Sequence, residues 1–469
     1  MSIGTKVNET DGNASDDRHR LFPTARTPAM DIRPIADLSP DERRAYFERD
    51  AGVDAVRGDV REIVERVRDE GDVAVREFSR EFDGVEIGNL DVTVDAERAY
   101  EAIDEELREA IEAAIENVRA FHEAQVREDW REAFGRGREL GRRFRPLERV
   151  GAYVPGGTAA YPSSAIMTVV PATVAGVEHV AVATPPAERI NPVTLAAISA
   201  AGADAVYSVG GAQAIAALAY GTESISSVEK VVGPGNKWVT AAKAEVRGDC
   251  EIDFLAGPSE LLVICDETAD PGFVAADVLA QAEHDPEASV VVATDDEPTA
   301  EAVRAAIDEQ IGAREREGTI REALAHDASG LLVGRSMSEV IAFAEAYAAE
   351  HLSIQADGDE ELLDRIDTAG SVFLGPHTPV AAGDYASGTN HVLPTNGRAR
   401  VTGGLSVDHF VRSTTVQRLS REGLDELSGT VETLARAEGL EAHAESVSIR
   451  LAEDGLTETD ADPKESLRE

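Results

Sequence analysis

The residues best suited to chemistry in this 469-residue chain fall into a few short segments. Gln281-Ala-Glu-His284 ends an apolar run that reads as a helix over 273–284. Side chains three apart share a helix face, so Gln281 and His284 can point at one ion. An amide oxygen with an imidazole suits zinc; a His near the negative end of a helix dipole explains the same pair without a metal. Glu350 and His351 follow an Ala-rich helical run and read either as a tuned acid–base pair or as an ordinary helix-end His. Gly383-Asp-Tyr-Ala-Ser-Gly-Thr-Asn-His391 sets a carboxylate, a hydroxyl, an amide and an imidazole in one glycine-flanked loop, which is costly to order unless it binds something. Glu438 continues the apolar stripe of a C-terminal helix, where an unpaired carboxylate is expensive. Gly439 ends that helix and lets His443 turn elsewhere.

Two glycine turns, Val209-Gly-Gly-Ala-Gln213 and Val232-Gly-Pro-Gly-Asn236, follow strand-like runs and could bring backbone amides to a phosphate or simply turn the chain. No Gly-x-Gly-x-x-Gly, Walker loop, Cys-x-x-Cys or His-Glu-x-x-His occurs. Cys250 and Cys265 lie outside every glycine-rich segment, and Cys265 ends an apolar strand, so a thiol nucleophile is disfavoured against a packed core thiol.

The elements that must position these groups alternate. Strands at 149–153, 180–183 and 205–209 interleave with Ala-rich helical stretches at 195–201 and 213–220. A second block has strands at 261–264, 289–293 and 331–333 with helices at 273–284 and 298–316. This repetition predicts an α/β fold with two parallel-sheet blocks. The expected division is a mobile extension over 1–28, a helical segment with part of the first α/β block over 29–152, a second block over 153–258, the remainder of the first with the metal site over 259–405, a C-terminal helical unit over 406–454 and an acidic tail over 455–469.

Acidic residues outnumber basic ones 89 to 45, for a net charge of −44, and only five of the basic residues are Lys. Such a surface repels nucleic-acid phosphates and anionic membranes. The acid is spread along the chain, a pattern of halophilic proteins. With two cysteines, no signal-peptide core and no membrane span, a cytoplasmic protein is expected.

Taken in order, Tyr153-Val-Pro-Gly-Gly157, Tyr161-Pro-Ser-Ser164, Gly210-Gly-Ala-Gln213, Gly233-Pro-Gly-Asn236, Ala256-Gly-Pro-Ser-Glu260, Gln281-Ala-Glu-His284, Glu350-His-Leu352 and Ala382–His391 resemble histidinol dehydrogenase from about residue 30 to about 452. The resemblance implies two Rossmann-like domains with small terminal segments in a domain-exchanged, zinc-dependent homodimer. It implies oxidation of L-histidinol to L-histidine through a bound aldehyde, with two NAD consumed, as the last step of histidine biosynthesis. It assigns zinc to Gln281, His284, Asp384 and the partner subunit's His443. It assigns substrate contacts to those ligands and to Ser259, Glu350, His351, His391 and the partner subunit's Glu438. NAD falls to Tyr153, Gln213 and Asn236, and acid–base catalysis to Glu350 and His351. Two departures stand out: Ala-Ala in place of the more usual Pro before Glu350, and the N-terminal extension. A zinc hydrolase on the same ligands and a non-catalytic binder are the alternatives; neither reduces NAD.

The charge pattern carries its own test. Molar KCl screens a self-repelling surface, so the thermal midpoint of this protein rises steadily from low to molar salt. A flat or falling midpoint marks an ordinary acidic protein.

Overall fold

The computed structural model describes residues 29–49, 52–156 and 160–452; the expected N-terminal extension and acidic tail lie outside the described residues. Two parallel sheets dominate. The five-stranded sheet runs in the order Ala205–Ser208, His179–Thr184, Arg149–Tyr153, Lys230–Val232, Glu251–Ile252. In chain order this is 3-2-1-4-5, the doubly wound arrangement, with its switch point between Arg149–Tyr153 and Lys230–Val232. In the six-stranded sheet, Gly330–Val333, Ser289–Thr294, Glu260–Cys265, His351–Gln355 and Ser371–Leu374 repeat that order. Ile32–Pro34 adds a parallel edge strand beside Gly330–Val333.

Both sheets are buried on both faces, as near-continuous Val, Leu, Ile and Ala runs require. Alternate residues feed opposite cores. Leu261, Val263 and Cys265 pack under the helix Pro271–Ala282, and Leu262 and Ile264 under the helix Met337–Tyr347. Cys250 and Cys265 are free, buried thiols, pushed up to about 11 and about 12 by desolvation, as packed core thiols are.

Three features differ from the expected division. The stripe Val60, Ile63, Val64 and Val67 on the helix Val53–Glu70 packs against the helices Gly211–Tyr220 and Lys237–Val246, on the five-stranded sheet. Of residues 29–152, only the strand Ile32–Pro34 and the segment through the helix Pro40–Phe47 join the six-stranded sheet. The five-stranded unit also begins at Arg149 rather than at residue 153, because the apolar strand precedes its glycine turn. Finally, the C-terminal unit opens with a strand, Val411–Leu419, paired antiparallel with Arg138–Pro146, which pairs in turn with Trp130–Ala133. The two outer strands are largely exposed and the central, Arg-rich one is mostly half-buried, and none shows a clear apolar alternation in its sequence. No helix among the described residues is long and apolar enough to cross a membrane.

One buried ion pair joins the N-terminal segment to the six-stranded sheet. Arg49 donates from Nε and Nη2 to the two carboxylate oxygens of Glu260 at 2.6 and 2.9 Å, with side chains 6% and 1% exposed. Its guanidinium also lies 3.9 Å from the ring centre of Tyr347 and donates to the carbonyls of Tyr46 and Tyr347. Removing one partner leaves an uncompensated buried charge, which costs about 3–5 kcal/mol. Arg49→Met is therefore expected to lower unfolding stability by that amount in a denaturant titration. A loss under about 1 kcal/mol would show the pair to be dispensable.

Candidate active site

A cleft of about 1590 Å³ separates the two sheets. This exceeds the roughly 300–1,000 Å³ of an ordinary small-molecule pocket and suits a dinucleotide together with a second ligand. The sheets present opposite ends to it. Tyr153, Thr184, Gly211 and Pro234 come from the carboxyl ends of the five-stranded sheet, whereas Ser259, Glu350 and His351 precede or open strands of the six-stranded one. Ligands of doubly wound sheets bind outside the carboxyl ends at the switch point, which makes the five-stranded wall the candidate dinucleotide side.

On that wall, Tyr153 is buried and its hydroxyl accepts the N–H of Gly211 at 3.1 Å; burial pushes the phenol up to about 12. Gln213 is buried one turn into the following helix. Asn236 caps the helix Lys237–Val246, its Oδ1 accepting from the N–H of Trp238 and Val239, which leaves its Nδ2 for a ligand. The turn before it is tightly held. A Cβ on Gly233 would stand 2.3 Å from the carbonyl oxygen of Tyr153, and Lys243 Nζ donates to the Gly233 carbonyl and to Asp253. All three residues expected at the NAD site thus line one wall. Asp83 joins them, accepting from Gln213 Nε2 at 3.5 Å; desolvation pushes its carboxyl up to about 6. Arg189 and Lys237 also line the cleft. No signal in the sequence marked Asp83, which arrives from a remote helical segment.

The opposite wall is organised by Glu260. Its backbone N–H donates to Glu350 Oε2 at 2.8 Å, and its carbonyl receives His351 Nδ1–H at 3.0 Å. Its carboxylate accepts from Arg49, from Asn396 N–H at 2.7 Å and from Glu350 N–H at 3.4 Å. A carbonyl can only accept, so Nδ1 carries the proton and Nε2 faces the site without a hydrogen-bond partner, 3.7 Å from Asp384 Oδ1. Burial alone would lower the His351 pKa; Glu350 and Asp384 outweigh it and hold the imidazole above its ordinary value. Glu260 was legible in principle, as an acid opening an otherwise wholly apolar buried strand.

Gln281 is buried at the end of its helix, and the nitrogen of its amide has no partner. The helix stops at Ala282, so His284 lies two residues beyond it, exposed at the cleft, in a turn where His284 N–H donates to the Gln281 carbonyl. The two residues share a turn rather than the expected helix face. Asp384 lies on the short helix Val380–Tyr385, which sits close on the sheet because a Cβ on Gly383 would approach Phe373 to 2.6 Å. Burial opposes ionisation of Asp384, but His351, His391 and His284 more than offset it and lower its pKa. His391 Nδ1–H donates to the Asp384 carbonyl at 2.8 Å, turning Nε2 outward. Among the described residues, no three His, Cys, Asp or Glu side chains gather to hold an ion unaided. Glu438 and His443 are exposed and lie off the cleft of this chain.

The donors of this chain nevertheless fit zinc. A buried amide without a partner, a carboxylate and an imidazole border one space, and a half-turn of the Gln281 amide presents its oxygen there.

Comparisons with known proteins identify the family. The family model described as histidinol dehydrogenase matches residues 48–451. A histidinol dehydrogenase from Haloarcula marismortui is 70% identical over 421 residues, 90% of this chain and 100% of that protein. One from Halobacterium salinarum is 70% identical over 425 residues, covering 91% and 100%. The crystal structure of histidinol dehydrogenase from Elizabethkingia anophelis superposes with a TM-score of 0.85 at 37% identity, covering 91% of this chain and 98% of that one. With a family match running through both walls of the cleft, this chain belongs to the histidinol dehydrogenase family.

Proposed function

We propose that the chain performs its family's reaction, the NAD-dependent oxidation of L-histidinol to L-histidine through a bound aldehyde, in the cytoplasm and with a surface adapted to high salt. The observation that carries this reading is the single cleft, with a dinucleotide switch point on one wall and an oriented imidazole beside unpartnered ligand atoms on the other.

Gln281, His284 and Asp384 would hold zinc together with His443 of the partner subunit. Zinc, when bound, supplies a Lewis acid that grips the imidazole and amine nitrogens of histidinol. Ser259 and His391 border the same space and would contact the substrate with Glu438 of the partner subunit. Tyr153, Gln213 and Asn236 would hold two NAD molecules in turn, one for the hydride of each oxidation.

The roles of the chain's own bases follow from their anchors. His351 is fixed through Nδ1, so in its neutral form, which becomes more populated as pH rises through its raised pKa, Nε2 takes the hydroxyl proton as the carbinol carbon loses hydride. The second oxidation needs water on the aldehyde carbon. Glu350 uses Oε2 to accept the Glu260 N–H, which leaves Oε1 to take the proton of that water. With that proton on Glu350 the hydrate carries one alkoxide oxygen; loss of the second hydride leaves the carboxylic acid, which releases its remaining proton to give the carboxylate. Both bases are nearly sealed from solvent, which keeps the reactive aldehyde bound.

Homodimerisation is the remaining part of the proposal. Leu434, Leu440 and Ile449 are exposed around the helices Arg421–Ala437 and Glu441–Leu451, which carry the unused Glu438 and His443. A second copy of the chain would cover these apolar side chains and bring the missing ligand to the cleft.

With histidinol, NAD, zinc and molar salt, NADH absorbance is expected to rise; a zinc hydrolase or a binder gives no signal. Glu350→Gln should slow aldehyde oxidation more than alcohol oxidation, and His351→Asn the reverse, within the 10²–10⁴-fold range of general acid–base catalysis, roughly. Equal effects on both half-reactions would refute the division of roles. Mixing inactive His284→Ala and His443→Ala proteins should restore one of the two sites in each heterodimer; no recovery would exclude a shared site.

A further inference from the structure

We propose that Lys243 and Asp253 are positioning residues for the cofactor, a buried ion pair that clamps the turn at 233–236 in the form that receives the dinucleotide. The proposal rests on the assignment of NAD to the five-stranded wall made above. Lysine is scarce in this chain, five of 45 basic residues, yet Lys230, Lys237 and Lys243 all fall on one strand–turn–helix unit. Where Arg serves nearly everywhere else, a Lys marks a place that asks for a compact ammonium whose donors can swing. At 243 the side chain is 3% exposed, and its ammonium lies among fixed acceptors. Gly233 is the point of attachment. Its N–H donates to Asp253 Oδ2 at 2.8 Å, and its carbonyl accepts from Lys243 Nζ at 2.5 Å. Lys243 Nζ also donates to Asp253 Oδ1 at 2.6 Å, which closes a ring of three bonds. Asp253 Oδ1 is held in turn by the N–H of Phe254 at 2.6 Å.

The three members come from three elements at the carboxyl edge of the five-stranded sheet. Gly233 follows the strand Lys230–Val232, Lys243 lies on the helix Lys237–Val246, and Asp253 follows the strand Glu251–Ile252. Helical side chains lean toward the N-terminus, so Lys243, about two turns in, reaches back to the turn that opens its own helix. The clamp holds the surface that the ligand meets. Gly233 has φ 107°, and a Cβ there would strike the Tyr153 carbonyl, so the turn lies against Tyr153 only in this backbone form. Pro234, Gly235, Asn236 and Trp238 then line the cleft. Lys243 and Asp253 do not border it and act through Gly233. Apolar side chains could fill the same volume, but only a donor and an acceptor fix the peptide planes on both sides of Gly233. A turn fixed before its ligand arrives loses less freedom on binding, which raises affinity.

The double variant Lys243→Met with Asp253→Asn tests the clamp. It removes both charges together, so no buried ion is left alone, and exchanging a buried ion pair for neutral residues of similar size is often neutral for stability. The Asn side chain can still accept the Gly233 N–H, whereas the Gly233 carbonyl loses its donor. NADH is titrated at molar KCl by quenching of tryptophan fluorescence, since Trp238 lines the cleft beside Asn236. The variant should bind NADH about tenfold more weakly or worse, the size of one hydrogen bond to a charged group. In steady state KM for NAD should rise by a similar factor while KM for histidinol stays unchanged; a generally loosened fold would move both. A folded double variant with wild-type NADH affinity would overturn the clamp, as would equal rises in both KM values. If the variant does not fold, hydrogen exchange of the wild-type protein without NAD decides. The Gly233 amide should be as protected as those of the strand before it, and exchange at the rate of an open loop would overturn the clamp. A wild-type protein that binds no NADH would instead overturn the assignment of the dinucleotide to this wall.

Discussion

The active-site wall depends on one residue, Glu260, and on the Arg49 guanidinium that makes its burial possible. Through its N–H and carbonyl, Glu260 orients the carboxylate of Glu350 and the imidazole of His351. Its side chain would be ruinous in an apolar strand without a cation, so Arg49 arrives from outside the sheet and is itself held by carbonyls and the face of Tyr347. The proton on Nδ1, and with it the free Nε2 that chemistry needs, is thus a consequence of backbone placement. A strain in the chain supports the same corner: Ala348 adopts a left-handed conformation with φ 52° to turn the preceding helix into Glu350.

The second constraint is how the two sheets meet. Repeating one doubly wound topology twice brings the carboxyl end of one sheet against the amino end of the other. The loop after Asp384 spans the junction. Asn117 Nδ2 donates to the Ala386 carbonyl, and Asn390 Nδ2 donates to the Met167 carbonyl, both partners lying on helices of the five-stranded unit. A Cβ on Gly388 would meet the Asn117 carbonyl oxygen at 2.8 Å, so the loop can lie flat only with glycine there. Its ordering cost is met by these contacts, and Asp384 and His391 are delivered to the cleft as one unit.

Charge is mixed in the cleft as on the surface. The chain is heavily acidic, and acidic side chains also outnumber basic ones along the cleft, where Arg189, Lys237 and Arg316 are the cations.

Much of this was legible beforehand, and the boundary is physical. Strands of Val, Ile and Ala between glycine turns announce parallel sheets, because apolar alternation and turn chemistry are local properties. Motif residues such as Tyr153, Gln213, Asn236, Gln281 and Asp384 were marked by the resemblance that their short segments, taken in order, bear to the family. The strands at 130–133, 138–146 and 411–419 escaped notice because the outer two are exposed and the half-buried central one is rich in Arg, so none carries a clear apolar period. So did the covering of the five-stranded sheet by residues 53–123, since an amphipathic helix states that it has a buried face but not against what. Asp83 beside Gln213 and Arg49 on Glu260 join residues 130 and 211 positions apart. Composition and short-range pattern determined the two α/β blocks, the acidic surface and the list of reactive groups. Which of those groups meet, which nitrogen is free and which sheet edge faces the cleft were decided only when distant segments packed, because hydrogen bonds and burial are made in space and not along the chain.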